Sequence, residues 1–267
     1  YNDEALKMFR IEMLDKRRKI HVYNENEIKR PYFHVKPLER IQLKNWRAYL
    51  DFEISLGIHE RVVTLFERCL IACALYEDLW IKYARYLEKK DTDAARAVYQ
   101  RGCSVHLPKK PNPHLAWSAF EEKLGNFDGA RAVLDDFDSR CPDHLVVQLR
   151  RIGLERRQAI LLARVKVEKD GGDDDRSERK ARKNADFANV SAKYERYLRD
   201  PRTPTKALTF YALKFARFQT KIRNDRKLAE KILKDALTRD PDNPQLYMQL
   251  IDLAYGADPF DESAVVA

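Results

Sequence analysis

Residues 46–53 read W-R-A-Y-L-D-F-E and place three large aromatic side chains at offsets 0, 3 and 6. Side chains with this spacing share one broad face of a helix. The pattern returns at intervals of 34 residues. The positions of this aromatic ladder are Trp46, Tyr49, Phe52, Trp80, Tyr83, Tyr86, Trp117 and Phe120, and a later copy adds Phe215 and Phe218. Aromatic rings could stack RNA bases, but their fixed period favours a core role.

The residues that end the first helices recur every 34 residues, and so does a second helix. Gly57, Asp91 and Gly125 stand 34 residues apart, and each can close a helix in a left-handed or turn conformation. Alanine-rich segments follow, reading A-R-A-V-Y at 95–99 and A-R-A-V-L at 130–134. One helical hairpin cannot bury both faces, whereas stacked hairpins can. The sequence therefore predicts an all-α fold, an α-solenoid of antiparallel helical hairpins.

The period divides the chain into four predicted segments. Residues 1–38 form an N-terminal helix and a proline-containing connector, and residues 39–158 carry the regular repeats. The first helix of the fourth repeat is expected at 144–158. Residues 159–204 hold a degenerate repeat with a charged insertion, which we interpret as a loop. Residues 205–267 restore the pattern and form the expected dimerisation region.

Composition limits the function classes. The 267 residues include 51 Lys and Arg against 42 Asp and Glu, a net charge of +9. This excess permits an acidic partner such as RNA, although a balanced, solvated surface explains it equally well. No apolar run reaches 18 residues, so no membrane span is predicted. The chain begins with Tyr1 rather than Met, and we expect it to be part of a longer protein.

The cysteines suggest a reducing compartment and no metal site. Cys69 and Cys73 share a helical face that zinc could use, but no matching histidine pair accompanies them. Buried thiols are the favoured interpretation. The sequence contains no P-loop, no H-E-x-x-H and no nucleophile elbow. We therefore expect no catalytic residues, no cofactor and no metal.

Several motifs resemble a known family. The first-helix pattern W-x-x-Y-x-x-F-E and the second-helix pattern A-R-x-V-Y/F-x-R resemble the half-a-TPR (HAT) repeat of RNA-processing scaffolds. The segments that narrow the likeness are 29–38 (KRPYFHVKPL), 43–46 (LKNW), 59–63 (HERVV) and 106–111 (HLPKKP). They resemble the C-terminal HAT half of the pre-mRNA-processing factor 39 family.

The resemblance implies a nuclear, non-enzymatic scaffold of the U1 small nuclear ribonucleoprotein (U1 snRNP) that supports 5′ splice-site recognition. Implied partners are U1 snRNP proteins and a second copy of the chain or a paralogue, met through the last repeats. No membrane and no small-molecule substrate are implied. Direct RNA binding through a basic surface, or scaffolding of another RNA-processing complex, remains the alternative.

Three groups of residues are candidate functional positions. Glu53, Glu121 and Glu155 recur at offset 7, where an ion pair with a second-helix arginine such as Arg96 or Arg131 is a better explanation than catalysis. The predicted basic partner-binding positions are Arg150, Arg151, Arg156, Arg157, Arg179, Lys180, Arg182 and Lys183. The predicted dimer interface, at the uncovered end of the array, consists of Leu228, Ile232, Tyr247, Leu250 and Leu253.

Overall fold

All regular elements in the described part of the chain are helices. The computed structural model describes residues 2–169 and 185–256. The helices are, in chain order, α1 (Asn2–Glu27), α2 (Arg40–Leu56), α3 (His59–Ala72), α4 (Glu77–Leu87), α5 (Thr92–Arg101), α6 (Pro111–Lys123), α7 (Phe127–Arg140), α8 (Leu145–Lys169), α9 (Ala188–Arg199), α10 (Thr205–Phe218), α11 (Arg226–Leu237) and α12 (Pro244–Tyr255). Short π-helical turns, Gly102–His106 and Gln219–Arg223, extend α5 and α10. The fold is that of an all-α helical-repeat protein of the α-solenoid class, as predicted.

The chain forms two compact units, Tyr1–Phe120 and Glu121–Ala267. In the first unit, α2 packs on α3 and α4 packs on α5, so each pair forms a helical hairpin. In the second unit, α7 packs on α8, α10 on α11, and α12 on α11. Consecutive helices therefore pair through short connections, the arrangement expected of a repeat protein.

The aromatic ladder forms the interior of these hairpins. Seven of its side chains are at most 4% exposed, namely Trp46, Tyr49, Trp80, Tyr83, Phe120, Phe215 and Phe218. The other three, Phe52, Tyr86 and Trp117, are partly buried and pack against the core of the first unit. Rings so enclosed do not present open faces for stacking bases.

Aromatic contacts also join successive hairpins within a unit. In the first unit, Phe66 of α3 stacks on Tyr83 of α4, with ring centroids 4.6 Å apart. In the second unit, Tyr194 of α9 stacks on Phe215 of α10 at 4.8 Å. Each ring on a preceding helix thus covers a ladder ring of the next helix, and such pairs contribute about 0.5–1.5 kcal/mol beyond buried area.

Two glycines close helices as predicted, but Asp91 does not. Gly57 and Gly125 adopt φ values of 76° and 77°, in the left-handed region that favours glycine. Asp91 is extended, with φ −146°, and its carboxylate accepts hydrogen bonds from the amides of Asp93 and Ala94. It therefore begins α5 as an N-cap instead of ending α4, because an aspartate oxygen satisfies free amides better than it tolerates positive φ.

The helix predicted for residues 144–158 is too short. The helix observed there, α8, continues to Lys169, through residues assigned to the degenerate segment. Ala163 and Val167 are 7% and 6% exposed within the core of the second unit. Their spacing of four residues continues the buried face of the helix, which explains why it does not stop where the 34-residue pattern fails.

Candidate interaction surfaces

The repeated carboxylates are held by polar side chains from neighbouring helices. Glu53 is 2% exposed, and Arg61 of α3 donates to its Oε1 at 2.9 Å. Nδ1 of His21 lies 3.3 Å from the same oxygen. The Nδ2 of Asn126 donates to Glu121 at 2.8 Å. These contacts join helices within each unit.

Glu155 pairs with two cations from neighbouring helices. Arg131 of α7 donates to its Oε1 at 3.0 Å, and Lys193 of α9 donates to the same oxygen at 3.1 Å. Burial acts to raise the pKa of Glu155, but the hydrogen bonds from Lys193 and Arg131 outweigh it, and the pKa is lowered. The carboxylate therefore stays charged and links three helices. Arg96, the other predicted partner, pairs with Asp93 of its own helix at 2.8 Å.

The arginines of α8 are largely neutralised inside the second unit. Arg150 and Arg157 both donate to Glu122 of α6, at 2.7 Å and 2.9 Å. Burial and the neighbouring charge of Arg157 lower the pKa of Arg150. Arg151 pairs with Asp135 and lies 3.5 Å from Asp138.

The predicted basic surface is therefore not an open row of cations at α8. The sequence shows these positive charges close together. The acidic residues that pair with them lie 13 to 35 positions away along the chain, so they are not apparent from the local sequence. Arg156 is partly buried. The remaining predicted positions, Arg179, Lys180, Arg182 and Lys183, lie outside the described residues.

Only part of the predicted dimer interface is exposed. Ile232 is 7% exposed, and Leu250 and Leu253 pack against the core of the second unit. Leu228, at 36%, and Tyr247, at 48%, are the two predicted residues that face outward. Three of the five predicted positions thus stabilise the unit itself.

The outward face of α12 carries a different apolar row. Leu246 is fully buried and Leu250 and Leu253 pack against the core, so these three leucines form the inward face of α12. Tyr247 lies on the outward face. The terminal row consists of Tyr247, Met248, Ile251 and Tyr255, which are 48%, 61%, 36% and 61% exposed.

Within the described residues, α12 is the last helix. Offsets of one, four and eight residues put the terminal row on one helical face. A contiguous row of exposed apolar side chains is typical of a protein-interaction surface.

Other kinds of site are not seen in the described part of the chain. No group of three His, Cys, Asp or Glu side chains there could hold a metal ion. No helix among those residues is both long and apolar enough to cross a membrane. Cys69, Cys73 and Cys103 are buried thiols. The hydrogen bond with Cys73, together with burial, raises the pKa of Cys69.

Comparison with known families agrees with the repeat architecture. The profile described as the PRP39 C-terminal HAT repeat matches residues 18–157, which is more than half of the chain. The chain belongs to the pre-mRNA-processing factor 39 family. The resemblance inferred from the motifs is thereby confirmed.

Relatives of this family from animals and fungi match different shares of the chain. Human pre-mRNA-processing factor 39 is 44% identical over 246 residues, covering 88% of this chain and 33% of that protein. The Schizosaccharomyces pombe protein of the same name is 42% identical over 138 residues, covering 51% of this chain and 22% of the relative. The chain spans about a third of the length of its vertebrate relatives.

A more distant match lies outside the factor 39 family. Mouse spliceosome associated factor 3, a U4/U6 recycling protein, is 38% identical over 65 residues, or 24% of this chain and 7% of that protein.

Membership of the pre-mRNA-processing factor 39 family does not by itself locate the terminal row. Met248, Ile251 and Tyr255 are exposed residues of this row that are absent from the dimer interface predicted from the sequence. α12 is apolar on both faces, and a comparison of the two faces would have identified a second apolar row opposite the core.

Proposed function

We propose that this chain is a non-enzymatic scaffold in pre-mRNA splicing, which acts in the nucleus within the U1 snRNP and supports 5′ splice-site recognition through protein–protein contacts and self-association. The observation that carries the self-association is the terminal row on α12, where four large apolar side chains are exposed together. The splicing role is supported by relatives that carry the name pre-mRNA-processing factor 39.

The terminal row suits a symmetric pairing of two copies. In a two-fold interface the same patch meets itself, so one exposed apolar helix face suffices for both chains. Tyr247, Met248 and Tyr255 are large side chains of the kind enriched at interface centres.

Sedimentation velocity at micromolar concentration tests the self-association. The unaltered chain should sediment as a dimer, and a chain with Tyr247→Asp and Ile251→Asp should sediment as a monomer. Val146→Asp, an equally exposed apolar position on α8 at 52%, is the matched control and should leave the dimer intact. A monomeric unaltered chain, or a variant that remains dimeric, would reject this part of the proposal.

Association with U1 snRNP needs a separate experiment. The tagged chain is added to a splicing-competent nuclear extract and recovered, and the bound small nuclear RNAs are quantified. U1 RNA should be enriched at least tenfold over U2 and U6 RNA. Equal recovery of all three RNAs, or enrichment of U6, would refute the U1 assignment and leave the dimer result unaffected.

Direct RNA binding is the weaker alternative for this chain. Three of the arginines that would carry it, Arg150, Arg151 and Arg157, already pair with carboxylates of the same unit. Phosphate contacts would have to replace these ion pairs.

A further inference from the structure

A second uncovered surface lies in the first unit and includes no residue of the terminal row. A groove of about 470 Å³ runs between the connector of residues 28–39, the end of α3 and the π-helical turn after α5. We call it the connector groove. Its apolar walls are Phe33, Ile71, Leu75 and Val105, which are 50%, 58%, 56% and 68% exposed. A smaller cavity of about 140 Å³ continues it under the connector and shares Phe33 and Leu75.

The floor of the connector groove is rigid. The indole of Trp80 is 3% exposed, and its Nε1 donates to the Ala74 carbonyl at 2.9 Å. The ring of His106 stacks on it at 4.9 Å, and the guanidinium of Arg101 lies 5.2 Å from its centre. Arg101 is in turn fixed by hydrogen bonds of 2.9 Å to both carboxylate oxygens of Glu67.

The connector wall is also held in place. The amide of Lys29 donates to Gln42 at 3.0 Å, and the amide of Leu38 donates to the Tyr76 hydroxyl at 2.9 Å. Between these anchors, Arg30 donates to the Lys36 carbonyl at 3.2 Å. A groove that is already formed costs little ordering entropy when a ligand enters, which favours binding of even a short segment.

The charges around the groove select an acidic ligand. Residues 29–36 include Lys29, Arg30, His34 and Lys36, and no acidic residue. Within residues 2–169 and 185–256, Arg30, Lys36 and Lys109 form no ion pair. Glu67, the carboxylate that lines the groove, pairs with Arg101.

The shape and composition of the groove favour a peptide over RNA. Bases stack on open aromatic faces. The Trp80 indole is buried and covered by His106 and Arg101, so among the four apolar wall residues only Phe33, at 50% exposure, offers a ring. The most exposed wall residues, Ile71, Leu75 and Val105, are aliphatic and offer no stacking surface. A volume near 470 Å³ accommodates a few large side chains.

We propose that the connector groove binds a short acidic peptide segment of a partner protein, which inserts two or three large apolar side chains between Phe33, Leu75 and Val105. The cations of the connector attract the flanking acidic residues. This surface lies within the first unit and the inference does not depend on self-association through α12.

A random 16-residue peptide library displayed on phage tests the proposal with a defined probe. The full chain is the target, and a chain with Leu75→Asp and Val105→Asp removes clones that bind elsewhere. Selected peptides should carry two or three large apolar residues and an excess of Asp and Glu. Synthetic copies, measured by fluorescence anisotropy, should bind the double variant at least tenfold more weakly.

Single substitutions separate the apolar and the charged contributions. Lys36→Glu should weaken binding of the selected peptides at least threefold and reduce its dependence on salt. Ile41→Asp and Lys89→Glu, exposed residues of the same unit that do not line the groove, should change the affinity less than twofold. Leu75→Ser with Val105→Ser provides a milder pair if the aspartates lower the melting temperature.

Four results would overturn the proposal. Peptides of basic composition, or peptides that bind the double variants equally well, would show that the groove is not the site. A 12-nucleotide uridine RNA that binds the chain, and that the double variant loses, would identify RNA as the occupant. A change in sedimentation coefficient on altering Leu75 and Val105 would identify a second copy of the chain.

Discussion

Replacement of Trp80 by alanine should destabilise the first unit by about 3–5 kcal/mol, the range for truncation of a buried tryptophan. The indole is 3% exposed and bonds to the Ala74 carbonyl at 2.9 Å. Its removal leaves a cavity and a carbonyl without a donor, which places the loss towards the upper end of that range. For a unit of this size the melting temperature should fall by about 15 °C.

A second substitution makes this prediction specific to the packing of one ring. A methyl group added at Gly102 would lie 3.0 Å from Cε3 and 3.2 Å from Cδ2 of Trp80. Because the indole is fixed by its hydrogen bond, Gly102→Ala should cost about 1–2 kcal/mol through overpacking. In the Trp80→Ala background the clash is absent, and the same change should stabilise the chain by about 0.5–1 kcal/mol through its helical backbone. The two substitutions should therefore couple by about 2 kcal/mol.

Urea unfolding followed by circular dichroism supplies the free energies, and hydrogen exchange of amides in α4 and α5 locates the loss. Exchange is needed because two units need not unfold in one transition. Trp80→Phe is the matched control, since it keeps an aromatic ring and should cost less than half as much. A Trp80→Ala chain within 1 kcal/mol of the unaltered protein, or additive effects of the two substitutions, would refute a structural role for the aromatic ladder at this position.

Three further outcomes are expected from electrostatics and backbone conformation. Glu155→Gln should lower the free energy of urea unfolding by about 1–2 kcal/mol. The ion pair with Arg131 is lost while the side chains at positions 131 and 155 stay partly buried. Hydrogen bonds from Arg68 lower the pKa of Glu25 to about 2, so its stabilisation is present above the ordinary value of 4.5 and is lost as the pH falls from 4.5 towards 2. After allowance for solvent screening this amounts to about 1 kcal/mol, measured by melting at successive pH values. Gly57→Ala should cost about 1–2 kcal/mol in urea unfolding, because φ is 76° there.

Matched variants keep these outcomes open to refutation. Glu195→Gln removes an exposed pair with Arg199 and should cost less than about 0.5 kcal/mol. An equal loss at Glu155 and Glu195 would contradict the network at Glu155. Arg68→Met should reduce the loss of melting temperature between pH 4.5 and 2. An unchanged loss would show that groups other than Glu25 cause it. Gly57→Asn should be milder than Gly57→Ala, since asparagine tolerates the left-handed region; equal costs would contradict a backbone origin.

The sequence by itself determined the repeat unit, since each hairpin depends on neighbours close along the chain. The 34-residue recurrence predicted the helical hairpins that α2 forms with α3 and that α4 forms with α5. Gly57 and Gly125 could be predicted as helix stops because only the local backbone decides them. Family motifs in residues 29–46 and 59–63 also sit in single short segments, so they could be recognised without tertiary contacts.

Only the tertiary structure decided which side chains remain available for partners. Arg150 and Arg157 appear as free charge in the sequence, yet Glu122 neutralises both across a contact that no local pattern encodes. At α12 both helix faces are apolar, and only packing against α10 and α11 shows that Leu246 faces inward. Local order follows from spacing and propensity, whereas exposure follows from which distant residue fills the neighbouring space. That is why the sequence determined the repeat fold, whereas the tertiary structure decided which apolar face of α12 is exposed and formed the connector groove.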